Sequence, residues 1–383
     1  MQGEYYEGTM LAVFGHLPAT IAEDVWLTGH IFEPGLMDNA SGAVLCASIA
    51  EAVSQIGGEL HAGKPRRGLK VFHSQECYGV LALRQFEPGR LAGGIAHLNI
   101  DMVGLSRMPV RLGRGLLASM AAPELLLRAC FEKTWPKFQN LGYEYSERFG
   151  INCSILAEPA MAGIPTTLLM QDNPAWHTSA DRGEFQNLDT KLLHKLITAG
   201  AAWVAFLQYA GDDEADWLLE LVKARIRSDL QSSTPADLDV YLEIQRRICY
   251  SACSLASSTN VPILTKTADD FLFDLATHSS RRSISPPGSE TEIRLARSIY
   301  PTTILGGTAT DQNFTKDQIK KIGGPRWSRK QLILKSWADG SRNIYEIARR
   351  SIYELGFEIP LGYALSFFET YADQGIVSLE TES

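Results

Sequence analysis

The residues with the most chemical content lie in GHIFEPGLMDNASG, residues 29–42, where His30 leaves an apolar run and Asp38-Asn39 follows eight residues later. Imidazole nitrogen and carboxylate oxygen are donors that zinc accepts, and a loop leading into a helix start can aim both at one point. The small residues Ala40, Ser41 and Gly42 leave room for the backbone to approach. Alone, this spacing is weak, because a histidine at a strand end is more often a hydrogen-bonded structural group. Three more groups follow in order, each after a run of strand character: Glu76 in HSQECYG, Asp101 in NIDMVG, and His177 with Asp181 in AWHTSAD. Parallel strands carry such residues to one edge of a sheet. Asp101 is the most telling, since a carboxylate in an apolar strand is costly to bury unless it is paired or metal-bound.

The elements that must position these groups read as an α/β pattern. Strands are expected within 20–30 and over 69–74, 93–104 and 164–170, with helices over 41–57, 123–135 and 190–211. Strand followed by helix implies parallel pairing and a three-layer α/β/α arrangement with a mainly parallel sheet. RRGLK at 66–70 reads as a solvated loop entering a strand. After Gly211 the periodicity becomes helical, and SSRRSISPPGSE (279–290) reads as a mobile loop. From Lys316 three helices, an Asp-Gly turn and a final short strand suggest a winged helix-turn-helix. The expected domains are therefore 1–211, a helical segment 212–315, and 316–383.

Bulk properties narrow the function classes. A chain of 383 residues ordinarily forms two or three domains. Hydrophobic content of 45% with 21% charged residues is that of a globular protein. The net charge of −8 offers no global attraction to nucleic acid or anionic membrane. The apolar run at 196–207 is too short to cross a bilayer, and the first ten residues do not read as a signal peptide. Six cysteines (46, 77, 130, 153, 249 and 253) form no CxxC pair and read as reduced thiols, so the expected compartment is the cytoplasm. Residues 322–383 hold seven Lys or Arg against eight Asp or Glu, which argues against a DNA-reading surface. A protein partner or a second copy is the expected target of that unit. Cys249 and Cys253, one turn apart, read as a packed face, and the remaining histidines, His97 among them, as ordinary structural residues.

Taken in order, His, Asp-Asn-x-Ser-Gly, Glu-x-x-Gly, Asn-x-Asp-Met-Val-Gly and His-Thr-x-x-Asp resemble the co-catalytic zinc aminopeptidase family, whose scaffold glutaminyl cyclases share. The loop HIFEPGLMDNASG and the phrase AGIPTTLLMQDNPAWHTSAD are most similar to a bacterial aminopeptidase-like branch with a C-terminal winged helix. The resemblance spans residues 7–208 well, the tail from 323 less fully, and the middle weakly. It implies a zinc-exopeptidase-like fold, one or two zinc ions, and hydrolysis of an amide bond in a peptide or amino-acid conjugate. Asp38 would bridge two metals, with His30 and Asp101 completing one site and His177 belonging to the other. Asn39 and Asp181 would hold a ligand or the loop in place. Glu76 would be the general base acting on a zinc-bound water.

The chain departs from that pattern in several places. Family members carry two adjacent glutamates, a base and then a ligand, where this chain has Gln75-Glu76-Cys77. Counting from Gly79 makes Glu76 the base and Cys77 a possible thiolate ligand. Counting by the pair makes Glu76 the ligand and removes the base. Phe32 replaces an Asp that orients the first histidine, which leaves Glu33 as its candidate partner. Asn152-Cys153 replaces an Asn-Asp pair, and Cys153 reads as an apolar filler. The family also carries an additional N-terminal portion ahead of the first strand. These departures leave two other readings open: a catalytically degenerate peptide- or partner-binding protein, and an acyltransferase or cyclase on the same zinc scaffold.

Overall fold

The computed structural model describes residues 9, 11–32, 35–60, 64–75, 78–105, 108–134, 144–145, 163–176, 178–182, 188–279, 282–303, 315–322 and 329–382. The chain divides into two compact units, each built from several segments: 1–113, 127–146 and 167–209 in the first, and 114–126, 147–166 and 210–383 in the second.

The first unit is an α/β fold around a mainly parallel sheet. Its strands are β1 (Val13–Leu17), β2 (Asp24–Thr28), β3 (Gly68–His73), β4 (Gly94–Asp101), β5 (Val110–Arg114), β6 (Glu144–Tyr145) and β7 (Thr166–Gln171). Their spatial order is β1-β3-β2-β4-β7-β5-β6. β2 lies parallel between β3 and β4, β5 pairs parallel with β6, and β1 adds an antiparallel edge to β3. Every residue of β2 and β7 is buried, as strands covered on both faces must be.

Alternation gives the two faces different chemistry. Val25, Leu27, Leu69, Leu98 and Ile100 are fully buried apolar residues on one side. The other carries Asp24, Trp26, Thr28, Lys70, His97 and Asn99, with Lys70 paired to Asp24 at 2.7 Å and bonded to the carbonyl of Arg90 at 2.8 Å. Arg90 belongs to α3 (Pro88–Leu91), which follows α2 (Tyr78–Phe86). Helices α1 (Ala40–Leu60) and α5 (Thr190–Tyr209) pack on each other and on the central strands; α4 (Ala122–Thr134) precedes β6. Residues 40–57 of α1 are long and apolar enough to cross a membrane, and in this fold they lie against β2, β3, β4 and α5. RRGLK is not the solvated loop it was expected to be. Arg67 is fully buried, its Nε bonded to Glu23 at 2.6 Å, and Lys70 sits within β3. A carboxylate partner and helix-end carbonyls make that burial possible.

The second unit begins its main run with α6 (Asp212–Ser232), α7 (Leu238–Cys253) and α8 (Val261–His278), and α7 packs on both others. Next come α9 (Glu290–Ser298), β8 (Ile299–Thr303), α10 (Lys316–Lys321), α11 (Arg329–Ser336), α12 (Ile344–Leu355), α13 (Leu361–Asp373) and β9 (Val377–Thr381). β9 pairs antiparallel with β8, so the final strand finds its partner ahead of residue 316. Ser289 and Glu292 form a capping box on α9, and Gly356 closes α12 in the left-handed region at φ 73°.

Residues 282–289, expected as a mobile loop, have no regular secondary structure yet are pinned by hydrogen bonds. The Ile284 N–H donates to Asp237 at 2.9 Å, Leu238 N–H donates to the Arg282 carbonyl, and Leu361 N–H to the Pro287 carbonyl. Asp237 itself is fully buried, caps α7 through Val240 N–H, and accepts two 2.6 Å bonds from Arg349. Burial alone pushes its carboxyl up, but Arg349 and the two backbone donors outweigh that and hold it below its ordinary 3.8.

A carboxylate depressed by folding stabilises above its unfolded pKa and loses that contribution as pH falls through the folded value. The stability of this unit should therefore drop with acid below about pH 4, and Asp237→Asn should flatten that part of the curve in urea unfolding. Arg349→Met strands the buried charge and should cost about 3 kcal/mol at neutral pH in the same measurement.

Candidate metal centre

The site is assembled at the carboxyl end of the central strands, where β2, β4 and the start of α1 meet. β2 ends at Thr28, and Gly29 and His30 continue it. Ile31 N–H donates to the Ser74 carbonyl at 2.8 Å, and His73 Nδ1 lies 2.8 Å from the Gly29 carbonyl. Burial lowers the His73 pKa more than that bond raises it, so the ring is neutral and its Nδ1–H donates.

His30 Nε2 lies 3.0 Å from Asp38 Oδ1 and 3.4 Å from Asp101 Oδ1. One donor atom from each of the three residues falls within 4.8 Å of the others. His30 and Asp38 are 3% and 4% exposed, so the carboxylates face each other with little water to screen them. Burial raises the Asp101 pKa, the His30 bond and charge oppose the rise, and the Asp38 charge adds to it. A buried and a largely covered carboxylate around one imidazole concentrate negative charge, and a divalent cation is the group that this N,O,O donor set fits.

The loop ahead of α1 is held from several directions. Asn39 Nδ2 donates to the Ile100 carbonyl at 2.9 Å, and its Oδ1 accepts from Gly42 N–H at 2.9 Å and Met102 N–H at 3.2 Å. A Cβ on Gly42 would stand 2.2 Å from the Ile100 carbonyl oxygen, so only glycine permits this approach of α1 to β4. Ser41 Oγ donates to the Met37 carbonyl and accepts from Val103 N–H. The buried Asp181 carboxylate accepts from Asp38 N–H at 3.0 Å and from Met37 N–H at 3.4 Å, while its backbone carbonyl takes Leu36 N–H.

Beyond Asp101, the Gln171 side chain fixes the turn. Its Oε1 accepts from Gly104 and Leu105 N–H, and its Nε2 donates to the Leu105 and Met108 carbonyls. The two non-glycine residues with positive φ among those described, Phe32 at 78° and Met102 at 50°, flank His30 and Asp101. Such backbone strain persists where the surroundings over-determine it.

Of the residues singled out in the sequence, His30, Asp38 and Asp101 come together, and Asn39 and Asp181 contact the loop carrying Asp38. Glu76, Cys77, His177, Glu33 and Asn152-Cys153 lie outside the described residues. Gln171 escaped notice; a glutamine ending an otherwise apolar strand was the signal for it. His97, read from the sequence as an ordinary structural histidine, instead joins a buried polar row with Thr28 and Asn99, neither of which the sequence singles out. Burial lowers the His97 pKa to about 3, so its ring is neutral, and a histidine in the apolar string GGIAHLNID was the corresponding signal.

No protein-family model matches the chain, and no curated protein matches it either. Among solved structures, a candidate peptidase from Clostridium acetobutylicum aligns over 96% of this chain and 60% of its own, at 12% identity and a TM-score of 0.43. A zinc aminopeptidase from Bacillus subtilis aligns over 49% of this chain and 48% of its own, at 18% identity and a TM-score of 0.39. A glutaminyl cyclase from Porphyromonas gingivalis aligns over 51% of this chain and 76% of its own, at 15% identity and a TM-score of 0.40.

Asp181→Ala leaves buried N–H groups of the Asp38 loop without an acceptor and should cost about 2 kcal/mol. Asp181→Asn keeps a carbonyl acceptor and should lose less. Paired thermal melts of the two variants check the order.

Proposed function

We propose that the chain is a metal-dependent hydrolase that cleaves an amide bond, aminopeptidase-like in its choice of a peptide or amino-acid conjugate. The observation that carries this reading is the buried convergence of His30, Asp38 and Asp101 on one point. In this reading those three residues hold zinc together with His177, and Cys77 is a further candidate ligand. When bound, zinc would polarise the scissile carbonyl and stabilise the negative charge that develops on its oxygen.

The chain's own residues supply the rest. Glu76 takes a proton from the attacking water and returns it to the leaving amine. Asn39 and Asp181 keep Asp38 in place through the bonds described above. In this reading residues 1–211 carry the catalytic function, and the mainly helical segment 212–315, which includes β8, links them to the last segment. Residues 316–383 form a winged helix-turn-helix that engages a protein partner or a second copy. The reading places the enzyme in the cytoplasm.

Purified protein should contain zinc, or take it up when supplied, and should hydrolyse aminoacyl chromogenic amides. Chelation should abolish that activity and zinc should restore it. Asp101→Asn should lower both zinc content and rate, whereas Glu76→Gln should keep the metal and lose about 100-fold or more in kcat. A chain that takes up no zinc at neutral pH would falsify the proposal. Zinc binding with no loss on Glu76→Gln would instead assign Glu76 a role other than base.

A further inference from the structure

One layer beneath His30 and Asp101 lies the buried polar row. Thr28 and Asn99 are register partners across β2 and β4, two residues before His30 and Asp101 respectively. Thr28 Oγ1 donates to Asn99 Oδ1 at 2.9 Å and stands 2.7 Å from His97 Nε2. A hydroxyl has one proton, so His97 Nε2 carries its own and donates it to Thr28. The three residues are 4%, 2% and 1% exposed for Thr28, His97 and Asn99. Residues 97, 99 and 101 share one face of β4, so the row lies on the face that carries Asp101.

Stability is a poor explanation for this row. Asn99 Nδ2 has no hydrogen-bond partner among the described residues. A buried donor left in that state costs free energy, and apolar side chains of similar size avoid it. Geometry is the better explanation. The β2·β4 backbone ladder sets the spacing of the two strands only as far as Thr28 and Asn99. Beyond Thr28 and Asn99 the β2·β4 register runs out, and His30 and Asp101 must still meet at one ion. A side-chain bond across the last register pair, itself oriented by His97, fixes the height and twist of both strand ends.

We propose that Thr28, His97 and Asn99 are positioning residues for the metal centre, setting the separation of His30 from Asp101. The proposal rests on the metal-binding reading above and concerns how well the site is formed rather than whether it exists.

The test is zinc affinity of the full chain by chelator competition, with circular dichroism and thermal melting reporting the fold. Thr28→Val keeps the shape and removes the hydroxyl; it should weaken zinc binding about tenfold or more, while Thr28→Ser should stay within about twofold of the parent. A folded Thr28→Val protein that binds zinc as tightly as the parent overturns the positioning role and leaves the metal centre standing. A parent chain that binds no zinc overturns both. If Thr28→Val does not fold, His97→Phe and His97→Gln make the same contrast, because only glutamine keeps an N–H donor. Weak binding by the first restored in the second supports the role, and equal binding by both overturns it.

Discussion

The arrangement hangs on one amide side chain. Asn39 is 1% exposed and reaches three backbone groups on two elements: the Ile100 carbonyl, Met102 N–H and Gly42 N–H. It therefore welds the first turn of α1 to the end of β4. Asp38 is its chain neighbour, and Asp101, the last residue of β4, lies between its contacts at Ile100 and Met102, so this seam is what brings the two carboxylates together. Gly42 is the complementary requirement, because any larger residue would push α1 away from the carbonyl that Asn39 must reach. Like charges would drive the pair apart, and the rigid backbone on either side opposes that.

Much of this was legible in the sequence because it depends on local pattern. Small residues after Asp-Asn mark a helix that starts against something, and the structure shows it starting against β4. The runs expected as strands over 93–104 and 164–170 are the buried strands β4 and β7. The less legible features involve partners distant in sequence. Arg67 reads as solvated until Glu23 and the carbonyl of Leu207 are beside it. β8 has no strong alternation of its own, and it pairs with β9 across 74 to 82 residues of chain. β1, an exposed antiparallel edge, lacks the continuous apolar signature of the central strands. His97 reads as an ordinary buried histidine because nothing local reveals that Thr28 lies across the strand pair from it.

The two faces of the sheet also divide the labour. The apolar face excludes water and fixes the layer spacing without any directional demand. The polar face imposes direction through Asp24 with Lys70, through the His97 row, and at its end through His30 and Asp101. Positive φ at Phe32 and Met102 appears only where this polar face gives way to loops. Directional bonds accumulate towards the carboxyl edge, so strain and chemistry share a location.

The interleaved chain path carries a practical consequence. Leu117 N–H donates to Glu354, the Leu117 carbonyl accepts from Arg247, and Ala122 N–H donates to Ser251. All of these belong to the second unit, yet Leu117 and Ala122 are encoded within the stretch that supplies the strands. A chain ended after Tyr209 would keep both residues and discard every partner just named. Genetic dissection has no single point at which to cut, and roles in this protein must be separated side chain by side chain rather than by truncation.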